Sequence, residues 1–216
     1  MKVEELALQR KRYAHLSDEE WRWMLQQVEG RQRTHDKLPT FAQIEDWWYP
    51  VRLSCEQCSS EATARYKAAI IRQLGKKQDI LIDLTGGYGV DTYFLSEQTT
   101  QAHYVERNEE LCRIAQHNFQ IANKPIHVHN TSAEDFLAQY SMAGSVSSDV
   151  KKEVVVYLDP ARRDAHGGKV FRIEDCEPNV IKILPHLRTI PSTILIKFSP
   201  MLDITSALQS LGTYHI

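Results

Sequence analysis

No apolar run in the chain approaches the roughly 18 residues needed to span a bilayer. The N-terminus, MKVEELALQRKRY, is charged throughout and lacks the apolar core of a signal peptide. A cytoplasmic location, away from any membrane, is the expectation that follows. Cysteine is scarce too: four in 216 residues are too few for a disulfide framework. Cys55 and Cys58 form one Cys-x-x-Cys, but Cys112 and Cys176 are single and distant, so no second metal-type pair follows. His127, His129 and His166 also lack a partner set, and no metal is expected. Charge of one sign is missing as well. A formal net charge of −2 gives no bulk attraction to nucleic acid, which restricts any such site to local patches.

What is present, 42% hydrophobic and 25% charged residues, suits a soluble globular protein of one large or two small domains. Residues 1–55 read as an N-terminal helical subdomain and 56–216 as the main domain. Ser17 before Asp18, Glu19 and Glu20 marks a helix start, and Trp21, Leu25 and Val28 fall at helical spacing. All four tryptophans, Trp21, Trp23, Trp47 and Trp48, lie in this segment. Either they pack it against the larger domain, or they form a stacking surface for bases or a lip over a substrate. The nearly balanced charge of the segment favours packing.

A connector from Tyr49 to Ser60 leads into a helix over 61–74, with Gly75 as its stop. Strands are then expected at 80–84, 102–106, 126–129, 154–158 and 193–198. Helices alternate with them at 91–96, 109–118, 133–140, 179–187 and 203–211. The stretch 142–152, rich in Ser, Gly and Lys, reads as a loop, and 214–216 as the start of a further strand. Short apolar strands alternating with helices predict an α/β fold, a doubly wound and mostly parallel sheet with helices on both faces.

In such sheets ligands bind beyond the carboxyl ends of the strands, where the strand order reverses. The first strand runs into Asp83-Leu-Thr-Gly-Gly-Tyr-Gly-Val-Asp91. Gly87 and Gly89 supply only the first half of the dinucleotide fingerprint, and Thr92 stands where its third glycine belongs, which disfavours a nicotinamide cofactor. No Gly-Lys-Ser/Thr follows, so a phosphate loop fits worse. Asp83 before the glycines repels phosphate and attracts an ammonium or a hydroxyl. The second strand ends on Glu106, 19 positions after Gly87, where an acid commonly takes the two hydroxyls of a ribose. A ligand with a ribose, an amino group and no phosphate fits this set.

Asp83-Leu-Thr-Gly-Gly-Tyr-Gly89 resembles the first motif of class I S-adenosylmethionine-dependent methyltransferases, a Rossmann-like fold, with Glu106 matching their ribose-binding acid. The resemblance implies S-adenosyl-L-methionine as cofactor, held by Asp83, Thr85, Gly86, Gly87, Gly89 and Glu106. The third strand ends His129-Asn-Thr-Ser-Ala-Glu-Asp-Phe136, similar to the family segment flanking the adenine, which adds Ser132, Ala133 and Glu134 or Asp135. Many members carry an Asp where this chain has Ser132. A closer resemblance, to bacterial proteins taken to be RNA methyltransferases with a THUMP-like domain, is carried by three phrases. They are Glu56-Gln-Cys-Ser-Ser-Glu-Ala-Thr-Ala-Arg-Tyr-Lys67, Leu84-Thr-Gly-Gly-Tyr-Gly-Val-Asp91 and Leu158-Asp-Pro-Ala-Arg-Arg-Asp164. It implies RNA as the acceptor. In that set the THUMP-like part follows the methyltransferase fold. The closing strand pair is therefore expected to be missing here, and the chain to be an N-terminal fragment.

The fourth strand, Val154 to Leu158, stops on Asp159 and Pro160, where the family keeps its catalytic-face motif. Amine-methylating members carry a second proline and an aromatic there, replaced here by Ala161 and Arg162. Uridine C5 enzymes need a cysteine after the next strand, and Ile196-Lys-Phe-Ser-Pro200 has none, which disfavours that chemistry. Asp159 is left to orient or deprotonate an acceptor, or to contact the methionine end of the cofactor. Arg162 and Arg163 either bind acceptor phosphates or bridge to Asp164, Glu174 or Asp175. Gly167 and Gly168 suit a lid. Lys197 is a further electropositive candidate or a surface ion pair. The rival reading is a binding module for nucleic acid or protein on the same fold.

Overall fold

The computed structural model describes residues 2–74, 78–142, 152–162, 173–190, 192–199, 202 and 204–212. The expected loop at 143–151, the stop at Gly75, the terminal strand at 214–216, and Arg163, Asp164, His166, Gly167 and Gly168 lie outside these residues.

The N-terminal segment folds into α1 (Val3–Ala7), α2 (Asp18–Thr34), α3 (Pro39–Gln43) and α4 (Arg52–Gln57). Ser17 caps α2: its hydroxyl accepts the Glu20 N–H while the Glu20 carboxylate accepts the Ser17 N–H. α4 falls where the sequence suggests only a connector. It carries the ion pair Arg52–Glu56 at i,i+4 and buries Cys55. Burial pushes the Cys55 thiol up to about 12, so it stays protonated, and it donates to the Pro50 carbonyl.

After α5 (Glu61–Arg72) strands and helices alternate: β1 (Gln78–Asp83), α6 (Val90–Leu95), β2 (Thr99–Glu106), α7 (Glu109–Ile121), β3 (Ile126–Asn130), α8 (Ala133–Met142) and β4 (Val154–Leu158). Next come β5 (Ala161–Arg162), β6 (Cys176–Glu177), α9 (Val180–Leu187), β7 (Ser192–Ile196) and α10 (Ile204–Leu211). Among the described residues the main sheet has five strands in the order β3-β2-β1-β4-β7, all parallel. Pro160 ends β4 as expected of a residue without an N–H. The chain then resumes as a two-residue strand, β5, paired antiparallel with β6, where the sequence suggested only a loop.

Both faces of the sheet are covered, and the period of two sorts the strand residues between them. Leu81, Tyr104, Val155 and Tyr157 pack towards α5, α6 and α7. Ile80, Ile82, Val105, Val154, Val156 and Leu158 pack towards α8 and α9. All five residues of β4 are buried, as a central parallel strand requires. The N-terminal helices share the first of these cores. Phe41 of α3 stacks on Trp47 at 4.1 Å and meets Tyr93 of α6 edge-on at 4.9 Å. Trp47 donates its indole N–H to the Tyr88 hydroxyl at 2.8 Å. Among the described residues no helix is long and apolar enough to cross a membrane.

Candidate active site

The strand order reverses between β1 and β4, which opens a crevice at their carboxyl ends. The turn from β1 into α6 fills its floor. Gly87 and Gly89 have φ of +52° and +85°, a region that L side chains rarely adopt. Gly86 is required for a different reason: a Cβ there would stand 2.3 Å from the ring of Tyr104. That ring is fully buried beneath the turn, and its hydroxyl donates to the Gly87 carbonyl at 2.6 Å.

Asp83 faces inward. It is fully buried; Thr92 donates its hydroxyl to Oδ2 at 2.6 Å and Thr85 its N–H to Oδ1 at 2.9 Å. Burial pushes its carboxyl up to about 7, against the pull of the Thr92 hydroxyl and the Thr85 N–H. It therefore ties the glycine turn to α6, and the ammonium-attracting role read from the sequence does not follow from this geometry. Thr92, at the place of a missing glycine, is its partner.

Glu106 stands at the end of β2 with its carboxylate against the turn. Oε2 accepts the Gly87 N–H at 3.0 Å and Oε1 the Asn108 N–H at 2.8 Å. It is half-buried, so a ligand can reach it. Beyond β3, Thr131 donates its N–H to the Glu106 carbonyl at 3.1 Å. Ser132 caps α8, accepting the Asp135 N–H at 3.0 Å and donating to its carboxylate at 2.7 Å. Ala133 is buried beside them.

On the other side, Asp159 donates its N–H to the Thr85 hydroxyl at 2.7 Å, which fastens β4 to the glycine turn. Both its carboxylate oxygens accept Lys197 Nζ, each at 3.0 Å. Burial raises the Asp159 carboxyl and Lys197 opposes it. Pro160 is buried, and the backbone of Arg162 pairs with Cys176 in the β5–β6 ribbon. Arg107 forms an ion pair with Glu177 of β6. The pair links the residue after β2 to the ribbon that follows β4.

Beneath the crevice lies a network that the sequence reading missed. Lys67 of α5, only 5% exposed, donates to Asp91 at 2.7 Å, to the Tyr157 hydroxyl at 2.8 Å and to Ser59 at 2.9 Å. The hydroxyls of Tyr157 and Ser59 each donate to the other oxygen of Asp91 at 2.9 Å. A signal for it existed: Ala64, Ala68 and Ile71 form the buried stripe of α5, and Lys67 falls on it. A lysine on a buried stripe needs a carboxylate partner. Among the described residues no group of three or more His, Cys, Asp and Glu side chains could hold a metal ion.

The structure thus brings Thr85, Gly86, Gly87, Gly89, Glu106 and Asp159 around one crevice, with Ser132, Ala133 and Asp135 at the next strand end. No protein-family model matches the chain, and no curated protein does. A crystal structure ascribed to a methyltransferase from Porphyromonas gingivalis W83 superposes with a TM-score of 0.74 at 32% sequence identity. The match covers 91% of this chain and 45% of that one, so this chain spans less than half the length of that protein. A SAM-dependent methyltransferase from Agrobacterium tumefaciens aligns at 14% identity with a TM-score of 0.46, over 69% of this chain and 48% of its own. The second is distant in both respects, and the fold assignment rests on the first: a Rossmann-like sheet of the methyltransferase type.

Proposed function

We propose that the chain carries the active site of a methyltransferase that uses S-adenosyl-L-methionine and acts on RNA. The observation that carries the cofactor is the clasp between Glu106 and the glycine turn. Each Glu106 oxygen already accepts one backbone N–H and keeps lone-pair capacity for a ribose hydroxyl. At Gly87 a Cβ would meet nothing nearer than the Thr85 carbonyl at 3.8 Å, so a ligand can approach the backbone there.

Glu106 would hold the ribose, the glycine turn the body of the ligand, and Ser132, Ala133 and Asp135 the adenine side. When bound, the cofactor supplies an electrophilic methyl group on a sulfonium. The chain's part is to position an acceptor and receive its proton where it carries one. Asp159 is the group for that, set by Thr85 from behind and Lys197 from the side. Arg162 and Arg163 follow it in the chain and suit acceptor phosphates. The choice of RNA is supported by the sequence resemblance to RNA methyltransferases with a THUMP-like domain.

Isothermal calorimetry tests the cofactor. S-adenosylmethionine should bind and NAD should not, and Glu106→Ala should weaken binding by tenfold or more through loss of a charge-assisted bond pair. Unchanged affinity in that variant would sink the ribose assignment. Tritiated-methyl transfer into RNA from a strain lacking the protein tests the acceptor. Label in protein or small molecules would redirect it, and bound cofactor without any transfer would favour the binding module.

A further inference from the structure

We infer that Lys197 is a positioning residue that holds the Asp159 carboxylate at the mouth of β4 and sets the charge met by the reacting sulfur, so that this ion pair tunes the preference between the sulfonium cofactor and its neutral thioether product. The inference rests on the proposed cofactor. Its geometric basis is a chain of contacts across three strands. Lys197 directly follows β7, and its backbone N–H donates to the Leu158 carbonyl at 2.9 Å, one step beyond the ladder. This fixes its Cα beside Asp159. Its ammonium then lies 3.0 Å from both carboxylate oxygens. Asp159 in turn is anchored through its N–H to the Thr85 hydroxyl of the glycine turn. The orientation of Asp159 is thereby determined from both neighbouring strands.

The pair is not built for stability. The lysine side chain is 45% exposed and the aspartate 26%, and ion pairs in such settings add little. Its place matters more. Asp159 stands at the mouth of β4, whereas Asp83 is buried under the glycine turn and Lys67 is already committed to Asp91. Among the described residues Lys197 is the cation in direct contact with the Asp159 carboxylate. Remove it, and a carboxylate without its counter-charge faces the crevice. Remove Asp159, and an ammonium without its counter-charge does. S-adenosylmethionine and S-adenosylhomocysteine differ at that point by a methyl group and one positive charge, so their affinity ratio reads the local potential.

The test is calorimetry of both ligands at low salt on the wild type, Lys197→Met, Lys197→Arg, Asp159→Asn and the double variant. Lys197→Met should shift the ratio severalfold towards S-adenosylmethionine, and Asp159→Asn severalfold towards S-adenosylhomocysteine. Lys197→Arg and the double variant should lie near the wild type. A purely structural role would weaken both ligands together and leave the ratio in place. Ratios within twofold of the wild type in both single-charge variants, with both ligands still binding, would overturn the inference and leave the cofactor reading standing. A wild type that binds neither ligand would overturn that reading itself, and this inference with it. Circular dichroism of each variant separates misfolding from altered charge; should Lys197→Met misfold, the Asp159→Asn ratio decides alone.

Discussion

Asp83 and His103 titrate over overlapping pH ranges with opposite consequences for stability. Burial lifts Asp83 from 3.8 to about 7, so the folded protein holds that proton more tightly than the unfolded chain does. Its contribution is full in acid and is lost as pH rises from about 4 to about 7. Burial lowers His103 from 6.5 to about 4, helped by His129 and His127, whose rings lie against it. Its contribution is full above 6.5 and is lost as pH falls towards 4. Asp83→Asn should therefore make the slope of stability against pH more positive across this window, and His103→Gln more negative. Urea midpoints at about pH 4.5, 5.5 and 6.5, which lie between the ordinary and the shifted values of both groups, check both signs; slopes moving together would contradict the burial argument. The carboxylate at position 83 was legible from the sequence, because it precedes a glycine turn. Its inward direction was not, since it depends on Thr92 being seated on the first turn of α6.

At the scale of elements, the Lys67 network joins α5, the connector at Ser59, the start of α6 and the carboxyl end of β4. The ion pair is buried, with side chains 6% and 11% exposed. Lys67→Met leaves Asp91 buried without its counter-charge, which should cost about 3–5 kcal/mol. Replacing Asp91 with Leu in the same chain should recover part of that loss, because an apolar pair needs no compensation. Urea unfolding measures it, and a double variant less stable than Lys67→Met would contradict the account. From α5 onwards the strands of the main sheet and the helices between them were legible, each to within a few residues, because periods of two and 3.6 and the Gly and Pro stops are local; α1, α3 and α4 are too short to show such a period. The ribbon of β5 and β6 was not, because two-residue strands carry no periodicity.

At the scale of the whole molecule, the N-terminal helices and the sheet bury one common aromatic core, in which Phe41 and Trp47 meet Tyr93 and Phe94. All four tryptophans precede residue 49, so their fluorescence reports the N-terminal segment, while far-UV dichroism reports the entire chain. The two signals should unfold with one midpoint in urea. A first transition in fluorescence alone would mean that the helices detach before the sheet opens. The packing reading of these tryptophans has support at two of them, Trp21 and Trp47, which are buried, while Trp23 and Trp48 are only partly buried. Trp48 stacks on His117 at 3.8 Å with Arg113 over it at 5.2 Å.

The sequence by itself determined the alternation of strands and helices, the glycine turn, and the acid at the end of the second strand. Each follows from forces acting over a few residues: side-chain periodicity, positive φ at glycine, the missing N–H of proline. Only the tertiary structure decided what those residues touch. Asp159 meets a lysine 38 positions away, and Lys67 meets an aspartate 24 away. Arg107, just past β2, reaches Glu177, 70 positions on. Such pairings depend on the order β3-β2-β1-β4-β7. A buried parallel strand presents the same apolar run wherever it lies in a sheet, so no pattern within one strand can specify its neighbours.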